Sequence, residues 1–208
     1  MSDYEFTLRF QLQDENDNPE NYLDLLFEAG CDDALVGVGS LGSISLNFTR
    51  KALTASAAVT SAIQNVLSAI PSAILIELAP DLVNTTDIAD IISDRFQKLT
   101  RQAVRKYATG QIARAKTRFP PAAISGSQPL WHLGEVLDWM VINEKISKPS
   151  VISKVNRLVE TTQTIKIFNT AIQQNTDVPD DLLAAAKKII ISQTPFEHLD
   201  PGRRHAKK

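Results

Sequence analysis

The chemistry that stands out in this sequence is a run of cationic side chains between positions 95 and 118. The run holds eight Lys and Arg residues and no Asp or Glu, although the whole chain has a net charge of -2. Surface helices that only face solvent usually mix charges of both signs. The run therefore indicates a polyanionic partner, and nucleic acid is the partner that its pattern favours. A solvated surface helix is the alternative interpretation.

The middle of this run, LTRQAVRKYA, predicts a short helix with Thr100 as its N-cap. Helical spacing turns Ala103, Val104 and Tyr107 inward and leaves polar side chains outward. Arg pairs with guanine and Gln with adenine through two hydrogen bonds each, so the outward face suits base edges in a major groove. The base-contacting candidates are Thr100, Arg101, Gln102, Arg105 and Lys106.

Residues on either side of this helix predict contacts to the phosphate backbone, which cations and hydroxyls bind without regard to sequence. Downstream, FPPAAISGSQPLWH predicts two short extended pieces joined by a turn at 125–128, which together form a wing. The phosphate or wing candidates are Arg95, Lys98, Arg114, Lys116, Arg118, Ser127 and His132.

Upstream, TTDIADII predicts another short helix, with Thr85 or Thr86 as its cap and with Ile88, Ala89 and Ile92 inward. The ordered pattern then resembles the winged helix-turn-helix of the MerR type and its small excisionase-like relatives, over about 60 of the 208 residues. The resemblance implies that the second helix reads DNA and that the wing grips the backbone. The link SDRFQKL is longer than the turn of about four residues usual in such motifs. The residues that carry the resemblance are Asp87, Ile88, Ala89, Thr100, Arg101, Gln102, Val104, Arg105, Phe119, Pro120, Trp131, Glu135, Val136 and Trp139.

The first 80 residues differ in charge from the rest. They carry eleven acidic and three basic side chains, a net of -8, whereas residues 81–208 carry thirteen acidic and nineteen basic ones, a net of +6. Apolar residues alternate from Tyr4 to Leu12, which predicts a half-buried strand. The patterns that follow complete the order β-α-β-β-α-β, with both helices on one face of an antiparallel sheet, which is the ferredoxin-like arrangement.

Both predicted helices of this first part have an apolar stripe. The first follows Pro19 and ends at Gly30, and the second is capped by Thr54 and ends before Pro71. The two intervening strands are joined by the glycine-containing turn GSLG. The predicted core-facing positions are Tyr22, Leu25, Leu26 and Ala29 in the first helix and Ala58, Ala62, Ile63, Val66 and Ile70 in the second.

A long helix is predicted after Ser150, with apolar residues spaced by four and three positions as in a heptad seam. The spacing favours a homodimer; the alternative is that a wider face with Ile152, Val159 and Phe168 packs on the chain's own body. A further helix is predicted from Pro179. The seam positions are Val151, Val155, Leu158, Thr162, Ile165, Asn169 and Ile172.

These patterns predict an α+β protein with four segments. Residues 1–80 form a ferredoxin-like acidic domain, and residues 81–145 form a winged helix-turn-helix domain. Residues 146–194 form C-terminal helices with a possible dimerisation role, and residues 195–208 form a basic tail that is predicted to be disordered.

Composition predicts neither an enzyme nor a cofactor protein. The three histidines, His132, His198 and His205, assemble into no zinc site or Ser/His/Asp arrangement. The lone Cys31 is predicted to be a small buried hydrophobe, and with no apolar leader it favours the cytoplasm. No apolar run approaches the roughly 20 residues of a membrane span.

The expected function is sequence-specific binding of double-stranded DNA by a transcriptional regulator that occupies its operator as a dimer. A second hypothesis is an antitoxin-like or adaptor protein whose acidic N-terminal domain binds a protein partner, with autoregulatory DNA binding. A third is a regulator that senses a small ligand at the N-terminal domain.

Overall fold

The computed structural model describes residues 1–112 and 115–174 of the chain. A four-stranded antiparallel sheet forms the first part of the chain. The strand order is β2-β3-β1-β4, and every neighbouring pair is antiparallel. The class is therefore α+β, as predicted. The elements are β1 (Ser2–Gln11), α1 (Leu23–Glu28), β2 (Ala34–Gly37), β3 (Ser43–Ala52), α2 (Ala55–Ala69) and β4 (Ile74–Ala79).

The alternation in β1 is confirmed. Its inward residues Tyr4, Phe6, Leu8 and Phe10 are at most 3% exposed, and so is Leu12 just after the strand. Phe6 stacks on Phe48 of β3 with ring centroids 5.4 Å apart. The hairpin between β2 and β3 also forms, and Gly42 adopts a positive φ of 68° where a Cβ would lie 2.6 Å from the backbone of Glu15.

Helix α2 begins as predicted, because the Thr54 hydroxyl accepts a hydrogen bond from the amide of Ala57 at 3.2 Å. Its small side chains allow the helix to lie close to the sheet. Ile63 is only partly buried. The other four predicted positions, Ala58, Ala62, Val66 and Ile70, are buried.

Helix α1 differs from its prediction. A 3-10 turn spans Pro19–Tyr22, and the α-helix has only six residues. Leu26 is buried, whereas Leu25 is 47% exposed. A 3-10 turn advances about three residues per turn instead of 3.6, which shifts the angular phase of the side chains that follow it. The prediction that Leu25 faces the core is therefore wrong.

A buried ion pair fastens the turn after α1 to the sheet. Arg50 of β3, which is 8% exposed, binds both carboxylate oxygens of Asp33 at 2.8 Å and the carbonyl of Gly30 at 2.7 Å. The hydrogen bonds that the Arg50 guanidinium donates to Asp33 raise its pKa. Beside it, Cys31 is only 3% exposed, as predicted for a small buried hydrophobe, and this burial raises the pKa of its thiol to about 11.

The second part of the chain is built from short elements around its own hydrophobic cluster. Its two short strands pair antiparallel. The predicted inward residues Ile88, Ala89 and Ile92 are all buried, and so is Val104. The elements are β5 (Leu82–Val83), α3 (Thr85–Arg95), α4 (Arg101–Ala108), β6 (Trp131–His132) and α5 (Leu133–Ile142).

The cap of α3 is Asn84 and not Thr85 or Thr86. The Asn84 side chain accepts from the amides of Thr86 and Asp87 at 2.7 and 3.1 Å. In return, the Asp87 carboxylate accepts from the backbone amide of Asn84 at 2.9 Å, which completes a capping box. The Asp87 of the sequence motif therefore has a structural role at this position.

Helix α6 (Pro149–Gln174) packs against both hydrophobic clusters of the unit Met1–Ile172. Ile165 belongs to the first cluster, which is centred on the sheet and includes Phe6. Val155 and Leu158 belong to the second cluster, which includes Val104. The predicted seam therefore lies against the chain's own body, which was the alternative interpretation. Homodimerisation stays a prediction, now without this seam to support it.

The polar residues of α6 have partners within the chain. Glu160 accepts from the amide of Ala55 in the first turn of α2 at 2.8 Å and from the hydroxyl of Tyr4 at 3.2 Å. Asn169 both donates to the carbonyl and accepts from the amide of Leu78, at 2.9 Å in each case. The contacts of Asn169 explain why a polar residue interrupts the apolar spacing at that position.

The helix predicted from Pro179 and the tail at 195–208 lie outside the described residues. Among the residues that are described, none of the helices combines the length and the hydropathy needed to cross a membrane.

Candidate nucleic-acid interface

Helix α4 has one buried face and one exposed cationic face. The Thr100 hydroxyl caps it by accepting from the amide of Ala103 at 3.2 Å. Val104 is 1% exposed, and Tyr107 is partly buried. The outward candidates Arg101, Gln102, Arg105 and Lys106 are all exposed, and Thr100 is exposed but already engaged as the cap.

The link between α3 and α4 is shorter than the sequence suggested. Helix α3 continues through Ser93 to Arg95, so only residues 96–100 connect the two helices. The Ser93 hydroxyl donates to the carbonyl of Leu99 at 2.9 Å and accepts from its amide at 3.1 Å. Gln97 donates to the carbonyl of Lys145 at 2.7 Å. The expectation of a long link was wrong because the polar residues SDR extend the helix.

Aromatic side chains from α4, α5, β6 and position 119 pack against one another. Phe119 makes edge contacts with Trp131 and Trp139, at centroid distances of 5.9 and 4.9 Å. Tyr107 of α4 contacts Trp139 at 5.3 Å. The indole of Trp139 donates to the carbonyl of Thr117 at 3.1 Å. The Trp residues of the motif thus connect α4, the basic segment and α5.

Asn143 is a structural residue of this region that the sequence analysis missed. It is 5% exposed, and its side-chain Oδ1 accepts from the backbone amides of Lys116 and Thr117 at 2.7 and 3.1 Å. Its side-chain Nδ2 donates to the Thr117 hydroxyl and to the backbone carbonyl of Trp139, both at 2.9 Å. An Asn after a helical pattern indicates a helix end. Its hydrogen bonds to residues up to 27 positions away could not be predicted from the neighbouring sequence.

The phosphate candidates fall into two groups. Arg95 forms an ion pair with Glu5 of β1 at 2.8 Å, and Lys116 forms one with Glu144, whose pKa it lowers. Lys98 and Arg118 are exposed and form no ion pair with any residue in the described ranges. Arg114 lies outside the described residues.

The segment predicted to be a wing forms a narrow hairpin. Ile124 and Leu130 form a bridge, and the loop between them, which includes Ser127, is exposed except for Pro129, which is partly buried. His132 lies deeper, in β6, where its Nδ1 is 2.7 Å from the carboxylate of Asp81. This ring nitrogen is therefore engaged within the protein, so only the remaining part of the ring is left for an external contact.

The arrangement attracts anions and offers donors to them. Every charged residue in the ranges 96–112 and 115–118 is cationic. The N-terminus of α4 adds the positive end of its helix dipole at the same place. No group of three or more His, Cys, Asp or Glu within the described ranges is placed to hold a metal ion.

Comparison with known proteins adds no family to this description. No family model matches the chain, and no curated protein or solved structure matches it significantly.

Proposed function

We propose that the protein binds double-stranded DNA in a sequence-specific manner, with α4 as its recognition helix. The single observation that carries this proposal is the two-sided nature of α4. Its inner face packs through Val104 on the second cluster, while Arg101, Gln102, Arg105 and Lys106 project outward without a single acidic residue in the same helix. Such a helix, held rigidly, offers the donors that major-groove base edges accept.

Two features of the architecture support the proposal. Helices α3 and α4, the hairpin bridged at Ile124 and Leu130, and helix α5 follow one another in the order of a winged helix-turn-helix domain of the MerR or excisionase-like type. The preceding sheet order β2-β3-β1-β4, with α1 and α2 in one cluster, supports a ferredoxin-like N-terminal domain.

Electrostatics would orient the protein on its target. Residues 10–49 contain eight acidic side chains and no basic one, whereas residues 95–118 contain only basic ones. DNA would attract the basic segment 95–118 and repel the acidic segment 10–49, so the protein would approach the duplex with its basic segment. As a transcriptional regulator, the protein would occupy its operator as a homodimer, with half-sites one helical turn, about 34 Å, apart.

Selection from a randomised duplex pool, followed by fluorescence anisotropy at two salt concentrations, tests the proposal. We expect enrichment of a palindrome and binding that weakens as salt rises, because cations displace counterions from phosphates. Binding to no duplex near physiological salt would contradict it.

On the selected duplex, Arg101→Ala should weaken binding by about 1–3 kcal/mol and relax the preference at one base position, since it removes a base contact. Lys98→Ala is the matched control. This exposed cation precedes the helix and should weaken binding to all duplexes alike. Equal losses on every sequence for both variants would exclude α4 as the recognition helix.

A second function, binding of a basic protein partner, is favoured by α1. This helix exposes Leu23, Leu25 and Phe27 by 39%, 47% and 68%, an unusual amount of apolar surface for six residues. Asp24 and Glu28 lie among them and are exposed. Apolar side chains surrounded by carboxylates suit a partner with an apolar pocket and a cationic rim.

Co-purification of tagged variants tests this second function. We expect a stoichiometric protein of net positive charge to accompany the unaltered chain and to be lost with Phe27→Ser, because the apolar anchor is removed. Ile167→Ser is the matched control, since Ile167 on α6 is also 68% exposed. If both variants retain the basic protein equally, α1 is not part of the surface that binds it.

A further inference from the structure

The wing carries almost no charge, although it adjoins the most cationic part of the chain. Between positions 119 and 134 the only ionisable side chain is His132, whose Nδ1 contacts Asp81. A wing that grips the backbone in the usual manner uses Lys or Arg to neutralise phosphates. This wing has none, so its contact with DNA requires another source of free energy.

Ile124 supplies an apolar group at the base of the wing loop. It is 50% exposed, and the four residues after it, Ser-Gly-Ser-Gln, are exposed, polar and uncharged. Small side chains and a glycine at 126 allow the loop backbone to approach a groove closely. The wing thus combines the half-exposed side chain of Ile124 with an uncharged tip formed by residues 125–128.

The frame that holds Ile124 is fixed by hydrogen bonds on both sides of the hairpin. The amides of Ala123 and Ile124 donate to the carbonyl of Leu130 at 2.8 and 3.2 Å, and the amide of Leu130 donates to the carbonyl of Ile124 at 2.9 Å. The indole of Trp131 donates to the carbonyl of Pro120 at 3.2 Å. A side chain on such a frame keeps its position when it is pressed against a base step.

We propose that Ile124 is a wedge that enters the minor groove beside the site of α4 and bends the duplex. This inference rests on the proposed DNA-binding function and specifies how the wing takes part in it. Apolar side chains inserted between base steps unstack them and kink DNA by about 20–90°. The flanking sequence would then be rich in A·T pairs and flexible pyrimidine-purine steps, which deform at the lowest cost.

The test is the bend angle of the selected duplex, measured by resonance energy transfer between dyes at its two ends. We expect the unaltered protein to bring the ends together and Ile124→Ala to leave the duplex nearly straight. Ile124→Ala should also weaken binding about tenfold or more, because the variant lacks the apolar surface that the isoleucine would bury against the bases. The salt dependence of binding should not change, since no cation is removed.

Ile74→Ala is the control, because Ile74 is 61% exposed but lies in β4 of the N-terminal sheet. It should leave both bend and affinity unchanged. A bound but straight duplex, or an equal bend with Ile124→Ala, would overturn the wedge and leave the proposed function intact. If no duplex is bound at all, the proposed function fails, and the wedge fails with it.

Discussion

Replacing Trp139 with alanine should lower the free energy of unfolding by about 3–5 kcal/mol, the usual cost of deleting a buried aromatic side chain. Trp139 is 4% exposed and contacts both Tyr107 and Phe119. Its loss leaves a cavity and frees the carbonyl of Thr117 from its indole partner. Urea unfolding followed by circular dichroism measures the effect.

Trp139→Phe separates packing from hydrogen bonding. The smaller ring retains much of the aromatic contact but cannot donate to Thr117, so we expect a smaller loss, about 1–2 kcal/mol. Under the proposed function, and in conditions where Trp139→Ala is still folded, binding of the selected duplex should also weaken, because Tyr107 of α4 loses its contact with Trp139. A loss below about 1 kcal/mol for Trp139→Ala would show that the aromatic cluster does not hold this region.

Replacing Arg50 with alanine should cost about 3 kcal/mol of unfolding free energy, because it leaves a partly buried carboxylate without its partner. The Arg50 side chain is 10% exposed and that of Asp33 is 29% exposed. The carbonyl of Gly30 would also lose a donor. Thermal and urea unfolding of the variant measure the change.

Arg9→Ala is the matched control for Arg50→Ala. Arg9 is also an arginine on a strand of the same sheet, and it pairs with Glu77 at 2.7 Å, but its side chain is 52% exposed. Water and salt screen such a surface pair, which contributes about 0–1 kcal/mol. Equal losses for the two variants would mean that burial does not decide the strength of these ion pairs.

Local patterns predicted most of the secondary structure. The alternation in β1 and the caps Thr54 and Thr100 are confirmed, because each depends on residues within a few positions of one another. The outward set on α4 is also confirmed as exposed, since Val104 and the helical period fix its orientation. What these side chains bind is not a property of their spacing and stays a proposal.

Contacts between distant parts of the chain could not be predicted. Glu160 caps α2 from a position 105 residues away, and the polar seam residue Asn169 binds Leu78 across 91 residues. The sequence shows only a helix whose apolar stripe contains polar residues, which suits a dimer or an intrachain contact equally. Leu25 was misplaced for a different reason, because a 3-10 turn is hard to distinguish from an α-helical turn by composition.

The bonds of Asn169 also bear on how the sheet meets other chains. Strand β4 lies at one edge of the sheet, where unpaired amides and carbonyls act as a template for strand addition. At Leu78 a side-chain amide takes both places that an added strand would use. Addition of another chain's strand across this position, one route by which folded proteins aggregate, is therefore blocked unless α6 first moves away.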